Sequence, residues 1–174
     1  MEMAPFNTMV PIQSTNPQDM SLHTKSWVQK IPVGIEQAWA FFSTPANLPA
    51  ITPPDMQFRI TSGNGAQRVH VGMVLTYSLC PLFSIPVEWA TEITKVSEPD
   101  FFEDIQLRGP YDEWIHRHSF RPVEGGVEMT DTVSYRLPLG PIGELLEPVL
   151  VAPRLEEVFR YRRRRIGEML GQMK

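Results

Sequence analysis

The sequence is short of most features that announce a chemistry. It has a single cysteine, Cys80, so no disulfide can form within the chain, and a lone thiol suits a reducing compartment. No apolar run approaches the roughly 20 residues that a membrane-spanning helix needs, so integral membrane association is not expected. The N-terminus lacks the basic-then-apolar order of a secretory signal, and the expected location is the cytoplasm. Positive charge is scarce too. Sixteen Lys and Arg against 20 Asp and Glu leave a formal net charge of −4, without the basic footprint that nucleic-acid binding requires. Gly63 and Gly65 follow a strand-like segment, but neither GxGxxG nor GKS/T surrounds them, which argues against phosphate cradling. Cys80 precedes Pro81 with no histidine near it, and Ser78, Ser84 and Ser119 lack the setting of a nucleophile elbow.

What remains is an ordinary globular composition, 42% hydrophobic and 21% charged over 174 residues, enough to bury a real core. Residues 1–19 hold three prolines and scattered polar residues without a period, and read as a flexible arm. Residues 20–174 read as one domain. Ser21 to Lys30 alternate as a first strand, and Ile35, Ala38, Trp39 and Phe42 space a short helix from Gly34 to Ser43. The proline-rich run from Leu48 to Pro54 argues against any regular element there. Met56, Phe58 and Ile60 alternate in a second strand, and Ser62 to Ala66 form a turn. Five further segments, Val71–Leu79, Val87–Val96, Phe101–Leu107, Trp114–Phe120 and Val127–Leu137, are separated by turn signals and predict an antiparallel meander.

The C-terminal stretch is helical by pattern. Leu155, Val158, Phe159, Ile166, Met169 and Leu170 make one stripe of 3.6-residue period. Pro153 suits the first turn, and the helix is expected to reach about Gly171. Arg162 to Arg165 form the one basic cluster, mostly the wet face of the helix. Arg162 is the exception. It shares the apolar face with Leu155, Phe159 and Ile166, so it must either snorkel outward or meet an acid inside.

Three segments carry a resemblance: AWAFFSTPANLPAITPP, IPVEWATEITKVSEPDFFEDIQLRGPYDEWIHRHSF and LPLGPIGELLEPVLVAPRLEEVFRYRRRRI. They resemble bacterial members of the SRPBCC superfamily, helix-grip proteins related to the birch-pollen allergen, START lipid-transfer domains and polyketide cyclases. The resemblance spans Ser21 to Met173. It implies an α+β fold in which a strongly curved antiparallel β-sheet wraps a long C-terminal helix, with a ligand cavity between them. Because one fold hosts many activities, it does not name one.

The residues narrow the choice. Registering the hairpin at Gly125 with Phe120 opposite Val127 puts His116 opposite Asp131 and His118 opposite Met129. Side chains two apart share a face, so Trp114, His116, His118, Phe120, Asp131, Val133 and Tyr135 fall on the buried side. A His–Asp pair answers the need of buried ionisable groups for partners, and Arg162 is a second partner for Asp131. Such a patch in an apolar pocket can orient a ligand oxygen, or move a proton with His116 tuned by Asp131; it can equally be a structural network that fixes the sheet. Asp104 and Gln106 share parity with Phe102 and can reach the cavity, whereas Glu88 and Glu92 lie on the opposite, solvated face. His-x-His on one strand face is also metal-ligand geometry. A cupin-like metal set would draw on Gly109, His116, His118 and Glu124, but the spacings are displaced and Glu124 sits in a turn. Without a clear third ligand, neither metal nor cofactor is expected.

The expected function is therefore binding, transport or sequestration of a small hydrophobic, lipid-like molecule. The expected lining is Tyr77, Trp89, Gln106, Trp114, His116, His118, Asp131, Tyr135, Phe159 and Arg162. Two rivals stay open. One is a cyclase- or dehydratase-like enzyme using His116 and Asp131 as acid and base. The other is an interaction module presenting the arginine-rich helix face.

Overall fold

In the computed structural model, residues 21–62 and 66–173 are described. The expected arm over residues 1–19, and the glycines of the turn after the second strand, lie outside them. Seven antiparallel strands form one sheet: β1 (His23–Ile31), β2 (Arg59–Ile60), β3 (Val74–Leu79), β4 (Val87–Ser97), β5 (Phe101–Arg108), β6 (Glu113–Val123) and β7 (Gly126–Arg136). Their order is β1-β7-β6-β5-β4-β3-β2, so every neighbour is sequential except the pairing of the first strand with the last. Register shifts in β4 between Ala90 and Thr91, and between Ile93 and Lys95, add the local bends that let a sheet curve. Strict alternation along β7 buries Val127, Met129, Asp131, Val133 and Tyr135 on the inner face.

The helices lie in the hollow of that face. α1 (Ile35–Phe42) buries Trp39 and Phe42, and Trp39 meets Phe102 and Phe120 edge-on at 5.9 and 5.8 Å. At the other end, helical backbone begins at α2 (Pro141–Leu146), passes through a wide π turn (Glu147–Val151) and continues as α3 (Ala152–Leu170). α3 thus starts beside Pro153, where the sequence pattern placed it, and further helical backbone leads into it from Pro141. Pro148 and Pro153 have no N–H to give the preceding turn, and the chain answers by widening there instead of stopping. Leu155, Phe159 and Ile166 are buried on α3 as expected, but Met169 is exposed. The buried stripe is narrower than the apolar one because the sheet grips only one side of the helix.

Three expectations need correction. The proline-rich run does form regular structure, as 3-10 turns at Pro45–Ile51 and Pro54–Met56, because proline presets the φ that such short turns use. The second strand shrinks to Arg59–Ile60, since Met56 is taken into the second of these turns and Gln57 leaves it in a left-handed conformation. The third strand starts at Val74 rather than Val71, after a turn in which Gly72 takes a φ of 84°.

Beyond Phe120 the β6–β7 hairpin is wider than in the register read from sequence, which set Phe120 opposite Val127. Val123 pairs with Gly126, leaving Glu124 and Gly125 as the turn, with Gly125 at a φ of 79°. Phe120 therefore faces Met129, His118 faces Asp131, His116 faces Val133 and Trp114 faces Tyr135. The slip is an even number of residues, so no side chain changes face.

Candidate functional site

On β6 the inner face reads Trp114, His116, His118, Phe120, an apolar residue at each end of a polar pair. Both imidazoles are buried, and both turn one nitrogen toward the same carboxylate on β7. His116 Nε2 donates to Asp131 Oδ1 at 3.0 Å, reaching diagonally across the ladder. His118 Nδ1 lies 2.7 Å from that oxygen, close but too poorly aligned to form a hydrogen bond. Arg162 approaches from α3, its Nη1 3.9 Å from Asp131 Oδ2 and its guanidinium 4.9 Å from the centre of the Phe159 ring. Arg162 Nε is buried and has no hydrogen-bond partner among the described residues.

The opposite side of the histidine pair is different. Asp104 on β5 points its Oδ2 at His118 Nε2 from 3.7 Å and at His116 Nδ1 from 4.0 Å, both beyond hydrogen-bond length. Its carboxylate is largely buried and faces the interior cavity. The chemistry of the cluster follows from these placements. Burial would raise the pKa of Asp131, but the charge of His118 and the contacts of both imidazoles outweigh it and hold the carboxyl far below the usual range. Burial would likewise lower His118, yet the carboxylates of Asp131 and Asp104 raise it above its ordinary value. His116 goes the other way, lowered by burial and by the charge of its neighbour. One imidazole of the pair is thus biased toward the cation and the other toward the neutral base.

The cavity has a volume of about 170 Å³. An engineered apolar cavity of about 150 Å³ is enough to admit benzene, so there is room for a ring or a short chain. Apolar residues of both core clusters line it, including Phe42, Leu75, Ile93, Trp89, Trp114 and Phe159, while Asp104, His116, His118 and Arg162 supply its polar wall. Tyr77 belongs to the lining, its phenol pushed up by burial and by the charge of Asp104. At the border Arg154 ties the start of α3 to the chain around it, donating to the Pro81 carbonyl at 2.9 Å and to Asp55 at 2.6 Å. A second cavity of about 320 Å³ lies on the far side of α3 against β1 and shares Phe159 and Arg162 with the first. There Trp27 stacks on Phe159 at 3.7 Å and donates to Glu156.

Seven of the ten residues singled out from sequence line the first cavity: Tyr77, Trp89, Trp114, His116, His118, Phe159 and Arg162. Asp131 stands behind the histidines and borders the second cavity. Gln106 is turned aside, its amide donating to the Tyr111 carbonyl at 2.6 Å, so it braces the β5–β6 loop. Tyr135 is fully buried but donates to Glu147 at 2.6 Å, fastening the π turn to the sheet. Sequence reasoning missed Tyr111 and Arg154 in the lining. Tyr111 sits in a loop with no period to reveal its direction. Asp104 had the right parity, but nothing in the sequence aimed it at the histidines.

No family profile and no curated protein matches the chain in sequence. Solved structures do match in shape. Protein Ms6760 from Mycobacterium smegmatis aligns over 84% of this chain and 90% of its own, with a TM-score of 0.63 at 19% identity. Protein CV1439 from Chromobacterium violaceum aligns over 86% and 98%, with a TM-score of 0.64 at 9% identity. The major latex-like protein 151 of Panax ginseng aligns over 86% and 97%, with a TM-score of 0.63 at 15% identity. These likenesses establish the helix-grip fold of the pollen-allergen and START type.

Proposed function

We propose, from the helix-grip fold and its cavity, that this chain binds a small, largely apolar molecule bearing one oxygen, and carries or sequesters it. The resemblance to bacterial SRPBCC proteins supports the same reading. The observation that carries the proposal is Arg162. A buried guanidinium whose Nε lacks a partner borders a mostly apolar cavity, and a ligand oxygen placed there would satisfy it. Burial of the apolar body supplies the driving force, about 25 cal/mol per Å² before the costs of association. The oxygen, a carbonyl or hydroxyl, would set the orientation.

Calorimetric titration with naphthol and with naphthalene tests this. Naphthol should bind at one site and about tenfold more tightly, the worth of one hydrogen bond to a charged donor. Replacing Arg162 by Met should erase the difference. Equal affinity for the two compounds in the native protein, or no binding of either, would refute the reading.

A second reading rests on the His116–Asp131 pair. Asp131 accepts the Nε2 proton, which leaves Nδ1 of a neutral His116 as a base facing the cavity, the arrangement for cyclase- or dehydratase-like proton transfer. Native mass spectrometry of small molecules that co-purify with the protein separates the two. A bound molecule that persists unchanged supports a carrier, and turnover on incubation supports the enzyme.

A further inference from the structure

We infer that Asp104, His116 and His118 form a binding site for one divalent transition-metal ion in the wall of the cavity, with Asp131 as the group that orients both imidazoles. The inference does not depend on the apolar ligand. Four observations converge on it.

The first is composition. Two imidazoles and one carboxylate are the donor set that zinc and ferrous iron take in sites with open positions. The second is geometry. One oxygen of Asp104 and one nitrogen from each histidine lie within 4.8 Å of one another, and the oxygen is 3.7 and 4.0 Å from the two nitrogens. Atoms so spaced are too far apart to bond each other. They surround a point that each can reach at about 2.0–2.2 Å, the length of a metal–ligand bond, after closing by roughly half an ångström.

The third is the direction of the lone pairs. Asp131 can only accept, so the nitrogens facing it, Nε2 of His116 and Nδ1 of His118, are the protonated ones in the neutral rings. The opposite nitrogens then present lone pairs toward Asp104. An imidazole anchored through its far N–H by a carboxylate is the usual support of a metal-binding histidine; here Asp131 holds His116 by such a bond and lies 2.7 Å from His118. The fourth is the state of Asp104. Among the described residues the two imidazoles facing its carboxylate stay beyond hydrogen-bond length, although it is largely buried. A buried carboxylate left short of donors takes up a cation readily, and a metal ion bound there would displace the extra proton that His118 holds in its absence. The three donors come from two adjacent strands, and the cavity gives the ion's remaining positions to water or to a ligand oxygen.

The test uses the full chain, stripped with a chelator and titrated with Co²⁺ and Zn²⁺. One equivalent of Co²⁺ should bind and give the visible bands of a low-symmetry nitrogen–oxygen site, and Zn²⁺ should displace it. Asp104→Asn, which keeps the shape of the side chain, should weaken binding by at least a hundredfold, as should His116→Ala and His118→Ala where those variants fold. Asp131→Asn should weaken it by roughly 10–100-fold, because it acts through the ligands. His70→Gln, at an exposed histidine outside the cavity, should change nothing. Failure of the native protein to bind micromolar Co²⁺ or Zn²⁺ would overturn the site. So would binding that survives Asp104→Asn with unchanged affinity and bands.

Discussion

The two sides of the histidine pair teach different things. Toward β7 the imidazoles meet Asp131 at 3.0 and 2.7 Å, and Arg162 adds its charge from 3.9 Å. Toward β5 they meet Asp104 at 4.0 and 3.7 Å, across a gap that borders the cavity. The two carboxylates are nearly equally buried, so burial does not distinguish them. Contact does. Asp131 accepts a hydrogen bond from His116 and holds the sheet, and the carboxylate of Asp104 is left open for something else. A group whose bonding is complete within the protein serves the fold, whereas a buried group with capacity to spare is available for a ligand.

The comparison breaks most visibly through stability. Asp131→Ala should cost about 3–5 kcal/mol in chemical unfolding, since it leaves Arg162 and a cationic His118 buried without their partner. Phe159→Ala should cost about the same by cavity creation, because that ring separates the two cavities and stacks on Trp27. Arg162→Ala should cost less, about 1–3 kcal/mol, since Asp131 keeps both imidazoles when it is lost. The double variant of Asp131 and Arg162 should then fall short of the summed costs by at least about 0.5 kcal/mol. Asp104→Asn should shift stability by less than about 1 kcal/mol, because no hydrogen bond is lost. If Asp104→Asn proved as damaging as Asp131→Ala, the two sides would be equivalent and the distinction would fail.

Protonation sharpens the same contrast in metal-free protein. His118 has a folded pKa above its ordinary 6.5, so the folded state holds this proton more tightly than the unfolded chain. Its contribution to stability is fully present below 6.5 and fades as the pH rises through the elevated value. His116, lowered instead, contributes above 6.5 and loses that contribution as the pH falls through its depressed value. Imidazole resonances followed by NMR should show two separate titrations, one on each side of the ordinary value. Asp131→Asn should move the His118 titration down further than Asp104→Asn does. The reverse order would mean that the β5 carboxylate, not the β7 one, holds the cation.

The fold was legible because it is written in periods. Alternation in β4, β6 and β7 and the stripe of α3 placed nearly every inner residue, and face membership survived the two-residue error at the Gly125 hairpin because side-chain direction repeats every two residues. Arg162 and Asp131 were found as exceptions to those periods. Pattern fails where chemistry depends on distance. It could not tell that His118 rather than His116 lies opposite Asp131, nor that Asp104 comes from the next strand to face both rings. Gln106 and Tyr135 had the right parity for the cavity and still left it, each drawn off by a hydrogen-bond partner in a loop or a helical turn. The 3-10 turns around Pro49 and the π turn near Pro148 were illegible for another reason. Proline marks where an α-helix or a strand is refused, not which alternative replaces it.

The central claim is that a ligand occupies the space between Asp104, the histidines and α3. It is tested most directly by filling that space from the helix. Val158 is half-buried on α3 and lines the first cavity but not the second. Calorimetric titration of Val158→Trp with naphthol should show affinity reduced at least tenfold, in a protein whose circular dichroism and unfolding transition match the native chain. Unchanged affinity in a folded Val158→Trp variant would place the ligand elsewhere and contradict the account.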